Sequence, residues 1–143
     1  MVLGQLDVGE PAGVQEIELR RYRCLGCGTV LVVGPWDLLP GMLYSLVTVV
    51  LALAHWALGT KTGSVRARLG AFAVVGVAGR LSWRSLRRWS QWAAEGLLLA
   101  NVRASVSGTR RERAARWVHI LAGVGPPELP LPVRALAGAK HYR

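Results

Sequence analysis

The apolar positions of the chain change period near Pro40. Upstream, Val14–Arg23 alternates weakly, with Ile17 and Leu19 set against Glu16, Glu18 and Arg20. Residues two apart share one face of a strand, so this stretch predicts one. Thr29–Val33 is a β-branched run closed by Gly34–Pro35 and predicts a second strand. With Cys24–Gly28 as the tight turn between them, residues 14–36 read as a β-hairpin. Residues 1–13 carry Gly, Pro and acids without any period and predict a loose start.

Downstream the pattern is helical. Gly41–Thr60 holds no charged residue. Ser45, Thr48, Ala52 and His55 fall on one helical face, while Leu43, Leu46, Val47, Val50, Leu51, Leu53, Ala54 and Leu58 cover most of the rest. One weakly polar stripe on an otherwise apolar helix predicts a core helix buried on most sides. The alternative is a membrane span at Met42–Leu58, whose length is marginal for a bilayer. Ser64 is placed to cap a short helix through Leu69, with Val65 and Leu69 inward and Arg66 and Arg68 outward. Residues 70–79 read equally as a buried irregular connection or a poor short helix. Ser82 is placed to cap a helix toward Ala94, with Trp83, Leu86, Trp89 and Ala93 on its packing side. Thr109 and Glu112 form a T-x-x-E capping box opening a helix over Arg110–Ala122, which packs through Trp117, Val118 and Leu121. Residues 41–122 thus form a helical domain, and 123–143 a Pro/Ala-rich tail ordered where it docks. The fold class is mainly α, preceded by a short β-hairpin.

Charge changes the picture for the helical part. Of the 143 residues, 18 are Lys or Arg and 8 are Asp or Glu, a net charge of +10. Residues 1–40 carry three basic and five acidic residues, whereas 41–143 carry fifteen basic against three acidic. A surface that positive repels itself unless it meets a polyanion. Sixteen of the basic residues are Arg, whose planar fork suits phosphates and guanine edges.

The segment Ser82–Ala93 concentrates this chemistry. Arg84, Arg88 and Gln91 lie opposite the packing side and are candidate base readers, since two guanidiniums and an amide match guanine and adenine edges in a major groove. Ser85 and Arg87 flank them as candidate phosphate contacts, and Arg66 and Arg68 of the preceding helix add two more basic side chains. An ordinary solvated face is the bland alternative. Against it, no Asp or Glu lies between Thr60 and Ala94 to neutralise the arginines. Arg110, Arg111 and Arg113 form a second cluster at a helix start, where positive charge is unfavourable unless a phosphate lies near.

Cys24-Leu-Gly-Cys27-Gly28 has the form of a zinc knuckle, two thiolates gripping one side of a tetrahedral ion. His55, His119 and His141 are distant in sequence, so Cys24 and Cys27 make a half site, and zinc is expected only if two further ligands are supplied. The first twenty residues lack the basic and apolar regions of a secretory signal, and a cytoplasmic, nucleoid-associated location is expected. The eight acids are Asp7, Glu10, Glu16, Glu18, Asp37, Glu95, Glu112 and Glu128. They suggest no grouping of three carboxylates for metal-assisted DNA cleavage, and no nucleophile motif or phosphate loop is present. The expectation is a non-enzyme with no small-molecule substrate.

The order R-R-Y-R-C-L-G-C-G-T-V-L-V-V-G-P, then L-L-P-G-M-L-Y-S, then W-R-S-L-R-R-W resembles a bacterial family related to insertion-sequence transposases, over roughly residues 18–93. The ending A-L-A-G-A-K-H is similar to that family's tail. The resemblance implies an N-terminal four-cysteine zinc ribbon followed by a helix-turn-helix domain. By it, Cys24 and Cys27 match the ribbon's second pair and Ser82–Ala93 the recognition helix. The family's first pair would lie upstream, so the resemblance implies a partial ribbon here, and either a start placed too late or a truncated remnant. Double-stranded DNA is the partner it implies.

Overall fold

The computed structural model describes residues 2–5, 13–34, 44–70 and 82–142. Among the described residues, two antiparallel hairpins precede five helices. β1 (Val2–Gln5) pairs with β2 (Gly13–Glu16), Val2 opposite Glu16, so part of the stretch read as a loose start is strand. β3 (Arg20–Arg23) pairs with β4 (Val30–Val33), Arg20 opposite Val33. This is the hairpin the sequence predicts, except that its first strand is divided: residues 17–19 separate β2 from β3.

α1 (Leu46–Ala57) is the centre of the helical body and touches all four other helices. Leu46 to Ala54 and Trp56 are buried along it. Ser45 caps the helix by accepting the Thr48 N–H, and the two hydroxyls also pair at 3.1 Å, so the polar stripe is satisfied inside the protein. Only His55, half-buried, reaches the surface from that stripe. The helix stops at Leu58–Gly59, where Gly59 takes φ +96° and Thr60 N–H closes on the His55 carbonyl at 3.1 Å. Positive φ is cheap for glycine alone, and it turns the chain back immediately. The result is a 12-residue helix. Among the described residues no helix is long and apolar enough to cross a membrane.

α2 (Thr62–Leu69) follows with Lys61 at the N-cap and no side-chain cap bond. The tight α1–α2 turn starts it early, so Ser64 lies inside the helix instead of capping it. Val65 and Leu69 are buried as expected, and Arg68 is exposed. Of the glycine-rich stretch 70–79, Gly70 ends α2 and residues 71–79 lie outside the described residues. α3 (Arg84–Glu95) then packs through Leu86, Trp89, Ser90, Ala93 and Ala94. Its N-cap is Trp83, not Ser82. Trp83, Trp89 and Tyr44 form an edge-to-face trio with ring centroids 5.0–5.7 Å apart, and this packing sets the entry of the helix in place of a hydroxyl cap.

α4 (Arg110–Ala122) starts on the predicted capping box and buries Ala114, Trp117, Val118 and Leu121. The Trp117 indole N–H donates to the Val102 carbonyl at 3.3 Å, pinning the α3–α4 connection. The stretch read as a tail carries a further helix, α5 (Leu131–His141), packed against α4 and α1. Gly138 lies so close to the Leu121 backbone that a Cβ there would collide with the Leu121 carbonyl. Arg134 donates twice to the Ala122 carbonyl, at 3.2 and 3.3 Å, and so caps the end of α4.

Candidate nucleic-acid interface

α3 divides as its sequence dictates. With Trp83, Leu86, Trp89 and Ala93 turned inward, Arg84, Arg87, Arg88, Gln91 and Glu95 are all exposed and recur at helical spacing along one outer stripe. Arg87, read from sequence as a flanking position, belongs to this stripe, while Ser85 is half-buried beside it. The Arg88 guanidinium lies 5.8 Å from the Trp92 ring centroid, which holds its long side chain on the helix surface.

Two of the predicted contacts have partners in the protein. Gln91 Nε2 donates to Glu95 Oε1 at 2.7 Å, one turn further along. The carboxylate absent from Thr60–Ala94 is thus supplied by the next residue, and the end of the stripe is neutralised. Arg66 is half-buried and donates from Nη1 to the Ser82 carbonyl at 2.9 Å, tying α2 to the start of α3. It is a strut, and Arg68 alone of the α2 pair is exposed. Arg68 adds its charge to burial in depressing the pKa of half-buried His55, burial being the larger cause.

The principal addition beyond the predicted residues comes from α4. Arg87 of α3 and Arg110, Arg111 and Arg113 of α4 line one open cleft of about 680 Å³, together with Trp56, Gly108 and Thr109. No carboxylate lines it. Two of these arginines are held in position. Arg111 lies 5.5 Å from the Trp56 ring centroid and donates to the Thr60 carbonyl at 3.3 Å. Arg113 donates to the Gly108 carbonyl from Nε and Nη2, at 3.2 and 3.1 Å. Nearby, Arg116 donates to the Ser105 and Ser107 carbonyls.

The capping box explains how three arginines are tolerated at a helix start. Glu112 accepts the Thr109 N–H at 2.6 Å while the Thr109 hydroxyl accepts the Glu112 N–H at 3.3 Å. The Thr109 backbone N–H, then the Thr109 side chain and Arg116, hold the Glu112 carboxyl below its ordinary range. Its negative charge offsets the helix dipole that the arginines oppose. The Thr109-Arg-Arg-Glu-Arg run was visible in sequence. Its meeting with Arg87 depends on the packing of α3 against α4, which no local pattern reveals.

In the β3–β4 turn, Cys24 and Cys27 are both free and exposed. The turn is shaped by Cys24 N–H donating to the Thr29 carbonyl at 2.8 Å and Gly28 N–H donating to the Cys24 carbonyl at 2.9 Å, with Gly28 at φ +74°. Cys27 Sγ lies 3.1 Å from Thr29 Oγ1. The Thr29 hydroxyl, the Thr29 backbone and the Cys24 thiol bring the Cys27 pKa down to about 7. The turn has the shape of a metal knuckle, but a closed zinc site needs four ligands. No third His, Cys, Asp or Glu gathers with the pair among the described residues, which show half of such a site.

No protein-family model matches the chain, and neither a curated protein nor a solved structure matches it. The functional reading therefore rests on the chemistry of these surfaces.

Proposed function

We propose that the chain is a non-catalytic protein that binds double-stranded DNA through α3 and the start of α4, in the manner of the DNA-recognition part of a transposase. The observation that carries the reading is the cleft in which Arg87 meets Arg110, Arg111 and Arg113 with no carboxylate among the lining residues. Four arginines around one opening concentrate positive charge there, and phosphates would neutralise it while releasing condensed counterions.

The division of labour follows from position. α3 presents one exposed face, and a helix has a width that a major groove admits. Arg84 and Arg88 on its outer stripe are the base readers, since each guanidinium can bond guanine N7 and O6 together. Gln91 has its amide N–H engaged by Glu95 and contributes less than its sequence position implies. Arg87 and the α4 cluster hold phosphates and set the register, with Ser85 and Arg68 at the margin. The α4 cluster is the more rigid part, because Trp56, Thr60 and Gly108 already orient Arg111 and Arg113.

Fluorescence anisotropy with labelled duplexes across a salt series tests this. Replacing Arg87 and Arg110 together with Ala should weaken binding to all sequences and reduce the salt slope by about 2, close to 0.9 per phosphate contact. Replacing Arg84 and Arg88 should instead cost about 1–3 kcal/mol per contact on a preferred site and relax sequence preference. Unchanged binding in both double variants would remove the assignment.

A further inference from the structure

The β3–β4 hairpin contributes no residue to the lining of the basic cleft, and it is unfinished in two respects. The first is chemical. Cys24 and Cys27 are the only cysteines of the chain, and both are exposed at the hairpin tip. Two thiolates two residues apart occupy half of a tetrahedral coordination sphere and leave two positions facing away from the turn. His55, His119 and His141 all lie in the helical body, and no third ligating side chain gathers with the cysteines among the described residues.

The second is physical. Every residue from Arg20 to Gly34 is exposed. Leu25, between the two cysteines, is 100% exposed, and Tyr22, Val30, Leu31, Val32 and Val33 are 47–63% exposed. A lone two-stranded hairpin is marginal in water and gains stability when an apolar face is covered.

We propose that a single Zn²⁺ joins two copies of this chain, held by Cys24 and Cys27 of each copy, with the two hairpins packed side by side. A two-fold axis through the ion makes the arrangement isologous, so each copy supplies what the other lacks. Four thiols bind as thiolates and release four protons, which leaves a site of net charge −2. The Arg23 guanidinium already lies beside the turn, 3.9 Å from where a Cβ on Gly28 would stand, and one Arg23 from each copy balances that charge. The apolar faces around Leu31 supply the contact that a metal bridge alone would not. The proposal is independent of the DNA reading.

The test uses the reduced full chain, titrated with Zn²⁺ and with Co²⁺ as a spectroscopic stand-in, while light scattering reports mass. We expect saturation at one ion per two chains, a two-fold rise in mass that a chelator reverses, and the intense thiolate-to-cobalt absorption of a four-sulfur site. Cys24→Ser and Cys27→Ser should each abolish the doubling while leaving helical circular dichroism unchanged, because both side chains lie outside the core. One ion per chain at unchanged mass overturns the proposal, as does the absence of binding under reducing conditions. Metal-driven doubling that survives Cys27→Ser overturns it too.

Discussion

Two four-residue runs of this protein, Val47-Thr48-Val49-Val50 and Val30-Leu31-Val32-Val33, are alike in composition and opposite in fate. The first is a helical stretch of α1 that is 0–8% exposed, whereas the second is strand β4 and about half exposed throughout. β-branched residues favour strands mildly, by no more than about 1 kcal/mol. In α1 that preference is overridden because four helices close around it and each buried aliphatic side chain gains about 1.5–3 kcal/mol. Among the described residues, β4 has only β3 beside it. An apolar run thus specifies a surface that wants a cover, and what arrives to cover it decides the structure. The helical body brings its own cover, whereas the described residues bring none to the hairpin.

Four further substitutions sharpen or break this contrast. The largest effect is expected in the body. Trp117 is fully buried, and Trp117→Ala should lower unfolding free energy by about 3–5 kcal/mol, read from urea unfolding followed by near-ultraviolet circular dichroism. A loss under about 1 kcal/mol would mean that the body is not the tightly packed unit described. A smaller effect belongs to the capping box. Thr109→Ala should cost about 1 kcal/mol. Because the folded protein holds Glu112 below its ordinary range, the contribution of this carboxylate is complete above that range and is withdrawn as pH falls below it. Glu112→Gln should therefore flatten the acid limb of the stability profile, and an unaltered limb would refute the assignment. The smallest effect is expected in the hairpin: Leu31→Ser should change unfolding of the metal-free chain by less than about 0.5 kcal/mol. A larger loss would show that the hairpin and body unfold as one unit.

How far the sequence speaks differs by region. The packing side of α3 was legible because Trp83, Leu86, Trp89 and Ala93 repeat at helical spacing, and all four are buried. α4 was legible to its ends because the capping box and Gly123 are local signals, and the helix runs over Arg110–Ala122 as the pattern predicts. α5 was not, since Pro130 and Pro132 stand at its start and its buried residues are the small Ala135, Gly138 and Ala139. Small residues matter there because two helix backbones approach closely, and nothing within residues 131–141 signals that approach. The caps at Ser64 and Ser82 were misplaced for a related reason. Lys61 and Trp83 take those positions because a glycine turn and an aromatic trio set where each helix begins.

The basic site shows the same division. By itself the sequence determined that α3 carries arginines on one side and tryptophans on the other, that the Thr109–Glu112 box opens a helix among three more arginines, and that two thiols stand two residues apart. Local periodicity and spacing are enough for such statements, because they concern side chains on one element. Only the tertiary structure decided that Arg87 shares a cleft with Arg110, Arg111 and Arg113, and that Arg66 is a strut. It also decided that the Val30–Val33 run stands uncovered while its counterpart in α1 is enclosed. Those outcomes depend on which distant elements pack together, and packing is settled by the sum of buried area over the whole chain.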